Sequence, residues 1–491
     1  MFFFLKIILI SLTLSSSVYL FSQSIPQTCD SVTVVAGKHY KSDKLHHIFF
    51  GKQYRDEWNT PVRVPCFKIN EYKEGLTPVK VGGGRQTISL RLMDKDSIQY
   101  QLRSVDKDPS EILPGFLTHT FLSGILQDMM STQHPYAMLV VPTLAEAIGL
   151  YHTKPELFFV PDDPQLGQYR PTFSGMLATI EIRPDEDLSQ YNRFGNSKNI
   201  IGTEKLYEKL PESSRNRVDQ LMYAKARLFD MLLNDWDRHE DQWRWAEYEV
   251  EGGLFYQPVP RDRDQVFSRY EGWLSRILSS RWALRYFQSF GKNYSDLAGT
   301  NLNARYLDRL FSNELSKDQW LEIAMTIQQE LSDSIIVEAV LNLPPEIIGI
   351  SAEELISNLI IRRNKLKEVA EFHYYNLVKE IQITGSGDSE LFKIDREEER
   401  TVVTVYRVDN EGIPEAIIYR REFYPGETDR IYLHAFGGNN TFEFRGSDNS
   451  IGITIFSAEG KNSYINLPAP GKLLTFVNRP SDIYKKMVYE F

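Results

Sequence analysis

The hydrophobic pattern of this chain changes period once, near residue 380, and that change restricts what it can fold into. From about 273 to 380 the apolar positions recur at helical spacing, and Ser351 with Glu354 reads as a capping box opening a long last helix. Beyond it the period is two. VVTVYRV, AIIYRREF, RIYLHAF, TFEFRG, GITIFSA and LLTFV read as short strands cut by Gly, Asn, Asp and Pro turns. FGGNNTFEF at 436 and AEGKNSYIN at 458 read as one unit repeated after 22 residues, which predicts solenoid-like or sandwich-like stacking. A helical stretch followed by a β-rich one gives an α+β chain, and 491 residues suffice for two or three cores.

The first third mixes both periods. TPVKV, TISLRL and IQYQLRSV read as three consecutive antiparallel strands, the first turn carrying Gly82, Gly83 and Gly84 and the second running from Asp94 to Ser97. A helix is expected over 115–133 and another around Pro142 to Ile148, then strands at LFFVP and SGMLATIEIRP. A polar linker is expected from Pro184 to about 212. Over 215–233, Leu221, Ala224, Leu228, Met231 and Leu232 form the apolar stripe of a helix.

Directly after that helix stands NDWDRHEDQWRW, residues 234–245, and at 260–267 a second acidic knot, PRDRDQVF. Carboxylates packed this closely repel unless a cation or a substrate offsets them. A solvated, salt-bridged loop is the plainer reading, but Trp236, Trp243 and Trp245 need a core to pack on. RDRD could equally be two Arg–Asp pairs; its place after the strand LFYQPVP is where a metal-bearing loop leaves a sheet. Three glycines alone are more often a hairpin turn than a phosphate cradle. No GxSxG or HExxH element offers a hydrolytic alternative.

In this order, with a glycine-rich turn, a cationic third strand, a linking strand and acidic loops on a helical lobe, the chain resembles the protein-kinase-like fold. More closely it resembles the atypical branch with the spore-coat CotH kinases, HipA-type kinases and phosphoinositide kinases. Asp237-Arg238-His239 after LFDMLLNDW, the knot at 260–267 and the hinge-like SGMLATIEIRP carry the likeness, over roughly 50–380. The block is also similar to one accompanying secreted metallophosphoesterases, which implies a functional association with such an enzyme. The resemblance implies ATP with Mg or Mn as cofactors. It implies that Asp237 orients or deprotonates the acceptor hydroxyl, that Asp262 holds the metal with Asp264 as second ligand, and that Gly82, Gly83 and Gly84 approach the phosphates. Arg103 stands where the family has lysine, with Lys107 nearby. Gln242 stands where the family has a metal-binding Asn, with Asp241 able to take over that role.

The alternative reading is a non-catalytic, pseudokinase envelope scaffold or binding module; a metal-dependent phosphoesterase is third, since histidines at ligand spacing are sparse. With 66 acidic against 56 basic residues and a net charge of -10, nucleic acid is not the expected partner. An unknown protein or envelope acceptor is. MFFFLKIILISLTLSSSVYLFSQS reads as a signal peptide, with no further apolar run long enough to span a membrane. Export to the periplasm, the outer-membrane surface or the exterior follows, where Cys29 and Cys66 either pair or remain free. The expected division is signal peptide 1–23, extension 24–50, N-lobe and hinge 51–184, helical C-lobe 185–380 and β-rich domain 381–491.

Overall fold

The computed structural model describes residues 29–82, 88–107, 126–278, 280, 284–446, 449–457, 461–467 and 474–478. The signal-peptide reading, Gly83, Gly84 and most of the helix expected over 115–133 lie outside them.

The three expected strands form at Thr77–Gly82, Ser89–Met93 and Gln99–Ser104, and Leu177–Ile182 and Glu156–Phe159 extend them into a five-stranded antiparallel sheet. Asp94 closes the second turn by accepting the backbone N–H groups of Asp96 and Ile98 at 3.0 and 2.9 Å. Alternation gives the sheet two unlike faces. Leu90, Leu92, Tyr100, Leu102, Ala178, Ile180 and Ile182 bury one against a small core. On the other, the cross-strand rows Ser89–Arg103–Thr179 and Arg91–Gln101–Glu181 are polar.

The central helix of the next region is Gln220–Leu233, capped at its start by Asp219, whose side chain accepts the Met222 N–H. Leu221 is exposed rather than on the buried stripe. Arg227 and Asp230 are buried instead, because neighbours close around the helix on almost every side. Helices Lys317–Glu330, Asp333–Val340, Pro345–Asn364 and Leu366–Val378 complete the lobe, sharing one large core with Trp243, Trp245 and Trp320. The capping box is at Ser316 and Gln319, not at Ser351. Ser351 lies inside Pro345–Asn364 and donates its hydroxyl to Glu57 at 2.7 Å, so tertiary contact overrides the local signal.

The expected linker after Pro184 is structured. Asn199–Gly202 is the outer strand of a sheet whose centre is the hairpin Trp243–Val250 and Gly253–Pro260, and Thr203–Lys209 is a helix. Its polar sequence misleads because an outer strand and a surface helix need few apolar residues. The N-terminal extension also pairs: Ser31–Val34 runs antiparallel to Val62–Pro65, and Cys29 is disulfide-bonded to Cys66.

From Glu380 onward the chain is all strand among the described residues. The 22-residue repeat becomes parallel stacking: Arg430 pairs with Gly452 and Phe442 with Tyr464, each 22 residues on. Glu380–Thr384 and Glu390–Arg396 form the preceding rung of the two parallel sheets. Between that rung and the next, Thr401–Val408 and Pro414–Phe423 extend one sheet as an antiparallel hairpin. Repetition stacks like on like, so Phe392, Phe442 and Tyr464 form an aromatic ladder, with ring centroids 4.7 and 5.6 Å apart. Asn313 ties this coil to the helices, donating to the Gln382 carbonyl and accepting from Tyr419 and Arg421 at its own carbonyl.

Candidate active site

Two acidic knots some twenty residues apart meet because a hairpin separates them. Trp243 pairs with Pro260 at its open end, so the residues just outside, Gln242 and Arg261, face each other, and the Arg261 N–H donates to the Gln242 carbonyl at 3.0 Å. Arg238 locks the junction: fully buried over the Trp243 ring, it donates to the carbonyls of Arg261 and Gln242 at 2.8 and 3.1 Å.

Alternate residues of the knots then part company. Asp235, Arg238 and Arg263 turn inward and join Asp230, Arg227 and Asp308 in a buried network, with Arg227 donating to Asp230 at 2.6 Å and to Asp308 at 2.7 Å. Asp237, Asp262 and Asp264 belong to a second set. Asp262 pairs with Arg103 from the third strand, and Lys107 reaches Asp264 at 2.6 Å. Asp262 holds this position in left-handed backbone, φ 59°, a conformation that Asp tolerates better than most residues.

Burial pushes against ionisation of Asp262, but Arg103, Arg261 and Lys107 outweigh it and hold the carboxyl below the usual carboxylate range. Asp237 is the opposite case. Burial, then the charges of Asp264, Asp235 and Asp262, push it up to about 7, and Arg238 only partly offsets them. Its side chain keeps 27% of its surface, and its Oδ1 lies 3.7 Å from His239 Nε2. Beside it, Trp236 stacks on Tyr286 at 5.0 Å and meets the edge of Phe287 at 4.9 Å.

Arg103, Thr179, Glu181, Asp262 and Asp264 line one side of an open cleft, faced by Val141, Pro142, Ala145 and Leu150. Gly82 falls on the same cross-strand row as Ser89, Arg103 and Thr179, two strands from Arg103. Asp241 is exposed, and its charge acts on Glu240 and Arg244. Gln242 is buried with its Oε1 unpartnered and its Nε2 3.4 Å from His239 Nε2.

Glu181 escaped the sequence reading, and Arg261 entered it only as part of RDRD. Burial raises Glu181 against the pull of Arg103, and burial lowers Arg261, which feels both Asp262 and Arg103. The available signal for Glu181 was its place two residues after Thr179 on an otherwise apolar strand, the polar face of a period-two pattern.

Among the described residues, no three His, Cys, Asp or Glu side chains stand together so as to hold a metal ion by themselves. The donors present suit a different arrangement. Mg²⁺ commonly takes one or two protein carboxylates and completes its shell with water and substrate phosphates. Asp262, Asp264 and the orphaned Gln242 Oε1 are hard oxygen donors of that kind.

No family model matches the chain, and no curated protein does. Among solved structures it is similar to the Helicobacter pylori proinflammatory kinase CtkA, at 14% identity and a TM-score of 0.31, over 61% of this chain and 95% of that one. It is also similar to the Rio2 kinase from Chaetomium thermophilum. In the ADP/Mg²⁺-phosphoaspartate complex the identity is 12% and the TM-score 0.25, over 62% of this chain and 72% of that one. A second Rio2 structure gives 11% and 0.23, over 62% and 75%. The structural neighbours are kinases; likeness at these scores says nothing of what the present chain binds or transfers.

Proposed function

We propose that the chain is an exported phosphotransferase of the atypical, CotH-like kinase type, acting on a protein or envelope acceptor. The observation that supports this most is the Arg103–Asp262 pair, which joins the polar face of the five-stranded sheet to the acidic loop of the helical lobe, with Asp237 on the same loop system. ATP with Mg²⁺ or Mn²⁺ would supply the transferable phosphoryl group and the positive charge that neutralises it. Asp262 and Asp264 would hold the cation, and Gln242 would offer its unpartnered Oε1 as a further oxygen donor. Arg103 and Lys107 would then exchange their carboxylates for phosphate oxygens, and Gly82 lies on the cross-strand row of Arg103. Asp237 takes the acceptor hydroxyl's proton; held at about 7, it is about half ionised at neutral pH. The Cys29–Cys66 bond fits an oxidising compartment, and association with a metallophosphoesterase belongs to the same reading.

A second reading, a nucleotide-binding or empty pseudokinase scaffold, draws on two observations. Gln replaces Asn at 242, and both metal-site carboxylates are already paired with this chain's own cations. Thermal melts and phosphate transfer, measured with ATP and Mg²⁺ or Mn²⁺ on wild type, Asp237→Ala and Asp262→Ala, decide between them. The enzyme reading expects nucleotide-dependent stabilisation that Asp262→Ala removes, and transfer that both variants lose. Stabilisation without transfer leaves the scaffold; a wild type indifferent to nucleotide ends the kinase reading.

A further inference from the structure

Two short helices far apart in sequence expose their apolar sides to solvent. In Lys44–Phe50 the outward residues are Leu45, Ile48 and Phe49, spaced i, i+3, i+4, and in Gly272–Leu278 they are Trp273 and Ile277, spaced i, i+4. All five keep between 46 and 66% of their surface, where a surface helix ordinarily shows water its polar side. The helices are neighbours. Gly51 and Gly272 sit backbone to backbone at φ +88° and +85°. A Cβ on Gly272 would stand 2.4 Å from the Gly51 nitrogen, and one on Gly51 would stand 2.6 Å from the Glu271 carbonyl oxygen. Such close approach places the two helices, each with its exposed apolar residues, side by side.

The segment that leads into and through the first of these helices differs in charge from the chain as a whole. The chain carries -10 overall, yet residues 38–52 hold four lysines against one aspartate, with His39, His46 and His47 among them. Lys38, Lys41, Lys44 and Lys52 are exposed. Asp43 is engaged as the helix cap and Asp56 pairs with Lys52 at 2.9 Å; Glu271 is exposed at the junction and accepts the Gln53 N–H. Asp128 is engaged by Arg55 and His46, and Asp106 by Tyr40 and His39.

A Trp–Phe–Ile–Leu face beside exposed lysines has the composition of a surface that lies on an anionic bilayer, with the rings at headgroup depth and the lysines over the phosphates. We propose that the paired helices Lys44–Phe50 and Gly272–Leu278 dock this protein peripherally on anionic lipid. No helix among the described residues is long and apolar enough to cross a membrane.

Cosedimentation of the exported chain, residues 24–491, with phosphatidylcholine vesicles, with and without phosphatidylglycerol, tests this. The wild type should pellet with the mixed vesicles only, and Trp273 emission should move to shorter wavelength. Ile48→Asp with Trp273→Asp should abolish pelleting while the thermal melt is retained, and Lys41→Glu with Lys44→Glu should weaken it by about tenfold or more. The proposal is overturned if the wild type stays in solution with both vesicles, or if the variants pellet equally well. It is overturned too if the same substitutions split a dimer in vesicle-free buffer, which would assign the face to a second copy.

Discussion

Two clusters of carboxylates and cations lie side by side where the acidic loops cross, each drawing some of its members from those loops, and they are balanced differently. In the inner one Asp230, Asp235 and Asp308 face Arg227, Arg238 and Arg263, three against three, and all are 9% exposed or less. In the outer one Asp237, Asp262, Asp264 and Glu181 face Arg103, Arg261 and Lys107, four against three. A buried charge is tolerated when paired. The balanced cluster therefore fixes where the two loops cross. The unbalanced one concentrates its excess on Asp237, and a carboxyl held near 7 is what proton transfer at neutral pH needs.

The contrast breaks most visibly in stability. Asp230→Ala or Asp235→Ala should cost about 3–5 kcal/mol in urea unfolding, because each strands buried guanidinium groups. If Asp237→Asn costs as much, the two clusters do not differ in kind.

For Asp237→Asn the expected sign is the reverse. Its folded pKa lies above the unfolded one, so the stability it lends is complete below about pH 4 and is lost as the pH rises through about 7. Asn removes that loss. The variant should gain up to about 4 kcal/mol at pH 8 and nothing at pH 4, read from melts at both. Phosphate transfer should meanwhile fall on the order of 10²–10⁴-fold.

The wild-type rate should climb as the pH passes about 7. Asp264→Asn removes the largest of the neighbouring charges that raise Asp237, and should move the climb to lower pH by up to about one unit. An unmoved profile would mean that the outer cluster does not set this proton.

The smallest effect lies outside both clusters: Ser316→Ala should cost about 1 kcal/mol through its lost cap, a neutral reference for the charged variants.

Much of the sheet was legible because alternation is local. TISLRL and IQYQLRSV carry their inner and outer faces in their own letters, and the 22-residue echo predicted the stacked rungs around Phe442 and Tyr464. The candidate site was legible as residue types at Asp237, Asp262 and Arg103. Its sorting was not, since Asp235 and Asp237 differ by two positions on one loop and nothing local says which turns inward. Ser351 was misread for a related reason: a capping motif is only a preference, and burial against Glu57 decided the matter.

The sequence by itself determined the order of elements, the change from helical to strand period at 380 and the inventory of charged groups, all of which depend on neighbours along the chain. Only the tertiary structure decided which charges balance. Trp243 pairing with Pro260 brings the knots together, Arg238 and Arg263 are spent on the inner aspartates, and what remains uncompensated is Asp237. Electrostatic balance is a property of separations in space and of burial, and neither is written in the order of residues.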